Sequence, residues 1–169
     1  MEKKPAVIRI PPRGTKGMSM PPGASFLMRL AKPLMDRQVK NIRRAPGPEP
    51  KSAMGLPVIL LTTVGARSGK EHTHVLGGFA DGPDAWLVVA SKGGAATHPA
   101  WFINLAKNPD KVWIQVGNRK MDAHVESLAG PEREKAYARV VALAPRYAGY
   151  LKKTDREIPV LRITPASPR

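Results

Sequence analysis

The sequence predicts an α+β fold that is mainly β: six strands, largely antiparallel, closed into a small barrel, with short helices and an N-terminal amphipathic helix. Three observations carry this expectation. Short apolar runs bounded by Gly, Pro, Asn and Asp succeed one another at hairpin-length spacing from Leu56 to Leu128. Helical periodicity appears in residues 25–44 and again in 131–144. Closing such a sheet removes the edges that would otherwise pair with other chains.

The elements follow in chain order. Residues 1–24 are rich in Pro, Gly, Lys and Arg without apolar periodicity, and read as a mobile arm. In residues 25–44, Phe26, Leu27, Leu30, Leu34, Met35 and Val39 recur at helical spacing between Arg29, Lys32, Arg37, Lys40, Arg43 and Arg44. Ser25 is a candidate N-cap, and Pro33 is expected to kink or restart this helix, giving two short ones. Ala45 to Pro50 is a stop and hinge, dividing residues 1–50, a basic arm and helix, from a barrel domain over 51–169. Strands are expected at Val58–Thr63, His72–Ala80, Trp86–Ser91, Lys111–Val116, Arg119–Leu128 and Ile158–Thr164. Helices are expected at Pro99–Ala106, Pro131–Ala144 and Tyr147–Thr154, the first two opened by Pro.

Composition narrows the function classes. The 169 residues suit one domain, or one domain with a tail. Lys and Arg number 28 against 13 Asp and Glu, a net charge of +15, so an anionic partner needs to be found. Residues 1–51 hold 12 of the basic side chains and 3 of the acidic ones. With no cysteine, a disulfide framework, a thiolate zinc site and a cysteine nucleophile are excluded, in keeping with a reducing cytoplasm. The longest apolar run, Leu56 to Leu61, falls far short of the about 20 residues of a membrane span. Aromatics make up only 5% and do not interleave with a basic run, so no specific nucleic-acid partner is expected.

Two segments carry candidate chemistry. In Thr62–Lys70 a strand ends in hydroxyls, and a glycine-bracketed turn presents Arg67, Ser68 and Lys70, which suit phosphate or carboxylate oxygens. An ordinary basic hairpin turn has the same composition. In Ala90–Trp101 a strand runs through Gly93 and Gly94 into a Pro-started helix; paired glycines permit close backbone approach to a flat ligand. Read without a ligand, it is a strand-to-helix connection pinned by Trp101 and Phe102. His72 and His74 point the same way on a strand, but no carboxylate pattern completes a metal site, and no metal is expected. Tyr147 and Tyr150 share one helical face, as packing residues or as proton donors.

Together, TTVGARSGK, VASKGGAATHPAWFINLAKNP and PRYAGYLKKTDREIPVLRI resemble the deazaflavin-dependent nitroreductase family, over roughly residues 55–165. The resemblance implies a split β-barrel oxidoreductase using coenzyme F420, an 8-hydroxy-5-deazaflavin with an anionic phosphate and glutamate tail. Arg67, Ser68 and Lys70 match the turn that holds the tail. Ser91, Lys92, Gly93, Gly94 and Ala95 match the loop that lies along the deazaflavin, and Trp101 and Asn104 the helix that closes the pocket. Tyr147 and Tyr150 match the substrate-side helix, where either is expected to meet charge on a quinone, enone or nitro acceptor. Thr154 to Pro159 resembles the family's link into its last strand.

The chain departs from the pattern at three positions. Ala66 and His72 stand where basic residues are common, and Ala144 stands where nitroimidazole-activating members carry a tyrosine, so efficient nitroimidazole reduction is not expected. Residues 25–44 suit an anionic membrane surface, or a helix packed on the barrel. The expected place is the cytoplasm, free or on the inner face of the membrane, as a monomer with a dimer as the alternative. The competing readings are a protein that holds F420 or a lipid-like ligand without turnover, and an FMN enzyme of the same barrel class.

Overall fold

A computed structural model describes residues 7–169 of the chain. Its β elements are β1 (Ser52–Ala53), β2 (Leu56–Val64), β3 (Glu71–Gly77), β4 (Phe79–Ala80), β5 (Trp86–Val89), β6 (Val112–Val116), β7 (Arg119–Ser127) and β8 (Val160–Pro168). The helices are α1 (Ala24–Arg43), α2 (Ala100–Lys107), α3 (Gly130–Leu143) and α4 (Arg146–Lys153). Every strand pair is antiparallel, and the sheet runs β3-β2-β6-β7-β8-β5-β4, with β1 on the start of β2. A register shift between Asp122 and Ala123 helps the sheet curl. The end strand β3 approaches β5, next to the other end, without ladder bonds, which leaves a split-barrel-like half barrel.

Alternation along β2 shows why its apolar run is continuous. Ile59 and Leu61 face the barrel interior with Val88, Phe102, Leu105, Ile114, Val125 and Ile163. Val58 and Leu60 face outward beneath Ile42 and Val39 of α1. Both faces are covered, so both are apolar. A third cluster joins Phe79, Leu87 and Val160 on the sheet's other outer face to Ala136, Tyr137 and Val140 of α3. Arg162 on β8 ties this layer down, bonding Asp81 at 2.6 Å and Glu132 at 2.8 Å, while Arg139 reaches Asp81 at 2.6 Å.

Three expectations need correction. Eight strands form rather than six. The stretch expected as His72–Ala80 breaks at Gly78, whose amide donates to Pro57 O at 3.0 Å and which sits against the Ile59 side chain, where a Cβ would lie 2.5 Å from Cγ2. That break yields β3 and β4, and β1 is a further two-residue strand. Next, α1 is one helix across Pro33 rather than two, and it begins at Ala24 after Gly23 (φ 83), so Ser25 is not its N-cap. Pro33 removes only the donor to the Arg29 carbonyl, and Arg29 is exposed to water.

The third correction concerns the arm. Residues 8–18 are docked rather than loose, while 1–6 lie outside the described residues. Ile8 is buried in the barrel core, Gly14 N donates to Ala96 O and Met18 N to Gly94 O, both at 2.9 Å. The Asp155 carboxylate accepts from the amides of Thr15 (2.9 Å) and Lys16 (3.1 Å) and from the Thr15 hydroxyl. Arg9 pairs with Glu157 at 2.8 Å. An arm without apolar periodicity is held by backbone hydrogen bonds, which leave no pattern in side-chain hydropathy.

Candidate functional site

The turn between β2 and β3 carries Arg67, Ser68 and Lys70, all exposed. It is fixed from below. Asn104 Oδ1 accepts from Ala66 N at 3.0 Å, and Asn108 Nδ2 donates to Val64 O at 3.1 Å, so α2 braces the turn. Asn104 therefore positions the basic turn while lining the recess beside it. That recess, about 320 Å³, is bounded by Gly65 to Ser68, His72, Ala100, Ile103 and Asn104. His72 also borders a groove of about 340 Å³ along the open edge of β3, with His74 and Leu76, under α1. Burial, reinforced by the nearby His72, holds His74 below its ordinary pKa. Trp101 is only 6% exposed and packs in the barrel core against Phe102, their ring centroids 6.2 Å apart.

The second segment turns left-handed. After Ser91 (φ −74), Lys92 (φ 47), Gly93 (φ 64) and Gly94 (φ 85) have positive φ in succession. A non-glycine residue in this region costs of order 1 kcal/mol, and Lys92 is tethered there by a 2.8 Å bond from Nζ to Thr97 Oγ1. At Gly94 a Cβ would lie 2.8 Å from Lys153 Cβ and 3.0 Å from Tyr150 O, so α4 rests directly on the loop. The run from right- to left-handed backbone is the geometry of an anion-accepting nest. Gly94 N returns to Ser91 O at 3.0 Å and Ala95 N to Lys92 O at 3.2 Å, whereas among the described residues the amides of Ser91, Lys92 and Gly93 have no acceptor.

Beneath the loop lies Arg156, 5% exposed. Its Nε donates to Ala95 O (2.7 Å), and Nη2 to Ser91 O (2.8 Å) and Ala90 O (3.0 Å). Nη1 faces His98 Nδ1 at 3.2 Å, and His98 Nε2 lies 2.8 Å from Pro11 O. One neutral tautomer satisfies both contacts: Nε2–H donates to Pro11 and Nδ1 accepts from Arg156. Burial is the main force holding His98 below its ordinary pKa; the hydrogen bond to Pro11 opposes it and the Arg156 charge adds to it.

Across the loop, α4 presents Tyr147 and Tyr150 edge to face, their centroids 5.2 Å apart, and Tyr147 meets Phe79 at 5.6 Å. The Tyr147 hydroxyl reaches the end of β3, about 3.1 Å from where a Gly77 Cβ would stand. Burial, with Tyr150 alongside, raises the Tyr147 pKa, so the hydroxyl keeps its proton at neutral pH. Tyr137 of α3 donates to Tyr147 O at 2.8 Å and fixes α4; burial pushes its own pKa up to about 12.

The expected residues other than Trp101, which is buried in the barrel core rather than closing a pocket, lie on neighbouring elements. The basic turn leads along β3 to Tyr147, and the Ser91–Ala95 loop links Tyr150 to the N-terminus of α2. Missing from the sequence reading were Arg156, His98, Asp155 and residues 8–18. Arg156 lies within the Thr154–Pro159 stretch already singled out, but no sequence signal separates one buried arginine from 27 other basic residues. Among the described residues no cluster of three metal-ligating side chains forms, and no helix is long and apolar enough to cross a membrane.

Residues 34–165 match the F420H(2)-dependent quinone reductase family. An F420H(2)-dependent quinone reductase of Mycobacterium tuberculosis is 38% identical over 113 residues, 64% of this chain and 73% of the relative. A solved F420-H2 dependent reductase (FDR-A) superimposes with a TM-score of 0.58 at 38% identity, covering 67% of this chain and 98% of that one. A solved structure described as a domain-swapped dimer gives a TM-score of 0.59 at 31% identity, covering 85% of this chain and 99% of that one.

Proposed function

The chain belongs to the F420H(2)-dependent quinone reductase family, and from that premise we propose that it binds coenzyme F420 and reduces a quinone with it. The observation that carries this reading is the left-handed Lys92–Gly94 turn, with the amides of Ser91, Lys92 and Gly93 free of acceptors among the described residues, lying against the tyrosine-bearing α4. The donor set fits the cofactor. Exposed Arg67 and Lys70 suit a phosphate and carboxylate tail, with Ser68 beside them. The curled backbone of Ser91 to Ala95, with its outward amides, suits an electron-rich ring edge. When bound, F420 supplies a hydride-donor carbon in a ring poor at one-electron chemistry.

The chain's own residues then orient, screen and donate. The α2 helix keeps the basic turn in place through Asn104 and Asn108. Tyr147 and Tyr150, with buried Phe79 packed behind Tyr147, wall the tyrosine end with aromatic surface and limit water. Tyr147 or Tyr150 gives a proton or hydrogen bond to the acceptor oxygen as negative charge develops there. Ala144 is buried and has no hydroxyl, so two tyrosines serve where a third could have stood. Quinones are the best acceptors on this reading, activated enones weaker, and nitroimidazoles poorest.

The N-terminal helix adds a second element to the proposal. Phe26, Leu27, Leu30 and Leu34 are each more than 60% exposed, among Arg29, Lys32, Arg37 and Lys40. A basic amphipathic helix of this kind suits an anionic lipid surface, and the groove beneath α1 would then open near a lipid-soluble acceptor.

Equilibrium titration of the protein with F420 and with FMN, followed by Tyr147→Phe, Tyr150→Phe and the double variant, tests the site. Preferential F420 binding is expected. All three variants are expected to keep that affinity, and the double variant with at least one of the single variants to lose about tenfold or more in kcat/KM for a menaquinone analogue. Tighter FMN binding, or full kcat/KM in all three variants, would overturn the assignment.

A further inference from the structure

The established family does not account for a buried guanidinium with no carboxylate beside it. Arg156 makes its contacts with peptide oxygens and His98, while its two acidic neighbours look elsewhere: Asp155 to Thr15 and Lys16, and Glu157 to Arg9. In a planar trans peptide the C=O and the following N–H point in opposite directions. Nη2 holds both Ala90 O and Ser91 O, so the N–H groups of Ser91 and Lys92 point away from the guanidinium. Ser91 O also accepts from Gly94 N, which occupies its second lone pair and prevents the peptide from turning over. Two peptide dipoles are thus aligned with a cation behind them and their N–H ends in front, where no described group accepts from them.

We propose that Arg156 is a positioning residue that turns the Ser91 and Lys92 amides outward as a paired donor site for the electron-rich edge of a flat anionic cofactor. This rests on the F420 reading above. The guanidinium does two separable things. Its fork spans carbonyls from Ala90 to Ala95, a geometry that a lysine ammonium cannot reproduce. Its charge favours negative charge on the ring lying beyond the amides.

Full-length Arg156→Gln and Arg156→Lys separate the two. Three measurements apply: hydrogen exchange of residues 90–98 without cofactor, F420 affinity by fluorescence titration, and pH titration of the bound cofactor's ring hydroxyl by absorbance. Arg156→Gln is expected to speed exchange in the loop, to weaken F420 binding by about tenfold or more, and to raise the pKa of the bound hydroxyl. Arg156→Lys is expected to speed loop exchange and weaken binding while leaving that hydroxyl pKa near the parent value. Unchanged loop exchange, affinity within about twofold of the parent in the glutamine variant, or equal hydroxyl shifts in both variants would overturn the proposal. Should Arg156→Gln fail to fold, Arg156→Lys decides: parent-like exchange and affinity together refute it. Failure of the parent itself to bind F420 overturns the functional reading instead, and loop exchange in the unloaded variants still decides whether Arg156 sets the loop.

Discussion

At the scale of single residues, the site depends on groups held in one protonation state. Tyr147 and Tyr137 are pushed up by burial and stay neutral donors. His98 is pushed down, and its neutral form alone accepts from Arg156 while donating to Pro11. The sign of the linkage follows. As pH falls through 6.5, the unfolded chain takes up the His98 proton first, so the folded state loses stability until the lowered folded value is passed. His74, also lowered, contributes with the same sign in the same window. His98→Gln keeps a donor and an acceptor without titrating. The expected outcome is a shallower fall of Tm with acid below pH 6.5 than in the parent; parallel curves for the two proteins would show that His98 carries no such load. Nothing in the sequence marks His98 for this task, because its two partners lie 58 and 87 positions away.

At the scale of elements, the strands and helices were legible because periodicity and turn chemistry are local. Five of the six expected strands form whole and the sixth, His72–Ala80, in two pieces, and the helices after residue 98 form as well. What the pattern could not carry was the place where the His72–Ala80 stretch breaks, since Gly78 yields to a contact with Ile59, 19 positions earlier. The basic turn, the glycine loop and the tyrosine helix were legible as segments. That α4 sits on the loop was not, because this contact depends on Gly94 leaving room for Lys153 and Tyr150. Gly94→Ala tests it. A methyl group there meets Lys153 Cβ at 2.8 Å with φ at 85°, so α4 must shift or the loop must change course. Stability is expected to fall by about 1–3 kcal/mol, measured by urea denaturation, with F420 affinity falling in the fraction that remains folded. A variant that matches the parent in both would mean that the loop and α4 are not coupled.

At the scale of the whole molecule, the +15 charge resolves into separate uses. Arg156 is buried and Arg133 and Arg162 are half-buried, bonded to carbonyls or to a carboxylate cluster. Arg67 borders the recess and Lys70 is exposed on the same turn. The cations of α1 accompany an exposed apolar row, and the helix docks on the barrel mainly through Val39 and Ile42 near its C-terminal end. Replacing Leu30 and Leu34 together by Asp in the full-length chain is expected to abolish co-sedimentation with anionic liposomes while leaving F420 affinity unchanged; retention of liposome binding would remove this role from α1. The arm, expected to be loose, instead laces Asp155, His98 and Gly94 together, so the N-terminal segment supports the site rather than trailing from it. The central claim, that this fold turns over a quinone, is tested most directly by a single-turnover experiment. The full-length protein loaded with F420H2 is mixed anaerobically with a menaquinone analogue, and recovery of the oxidised deazaflavin absorbance is followed. The account predicts oxidation faster than that of free F420H2 with the same quinone. Tight binding of F420H2 with oxidation no faster than in free solution would contradict it and make the protein a carrier.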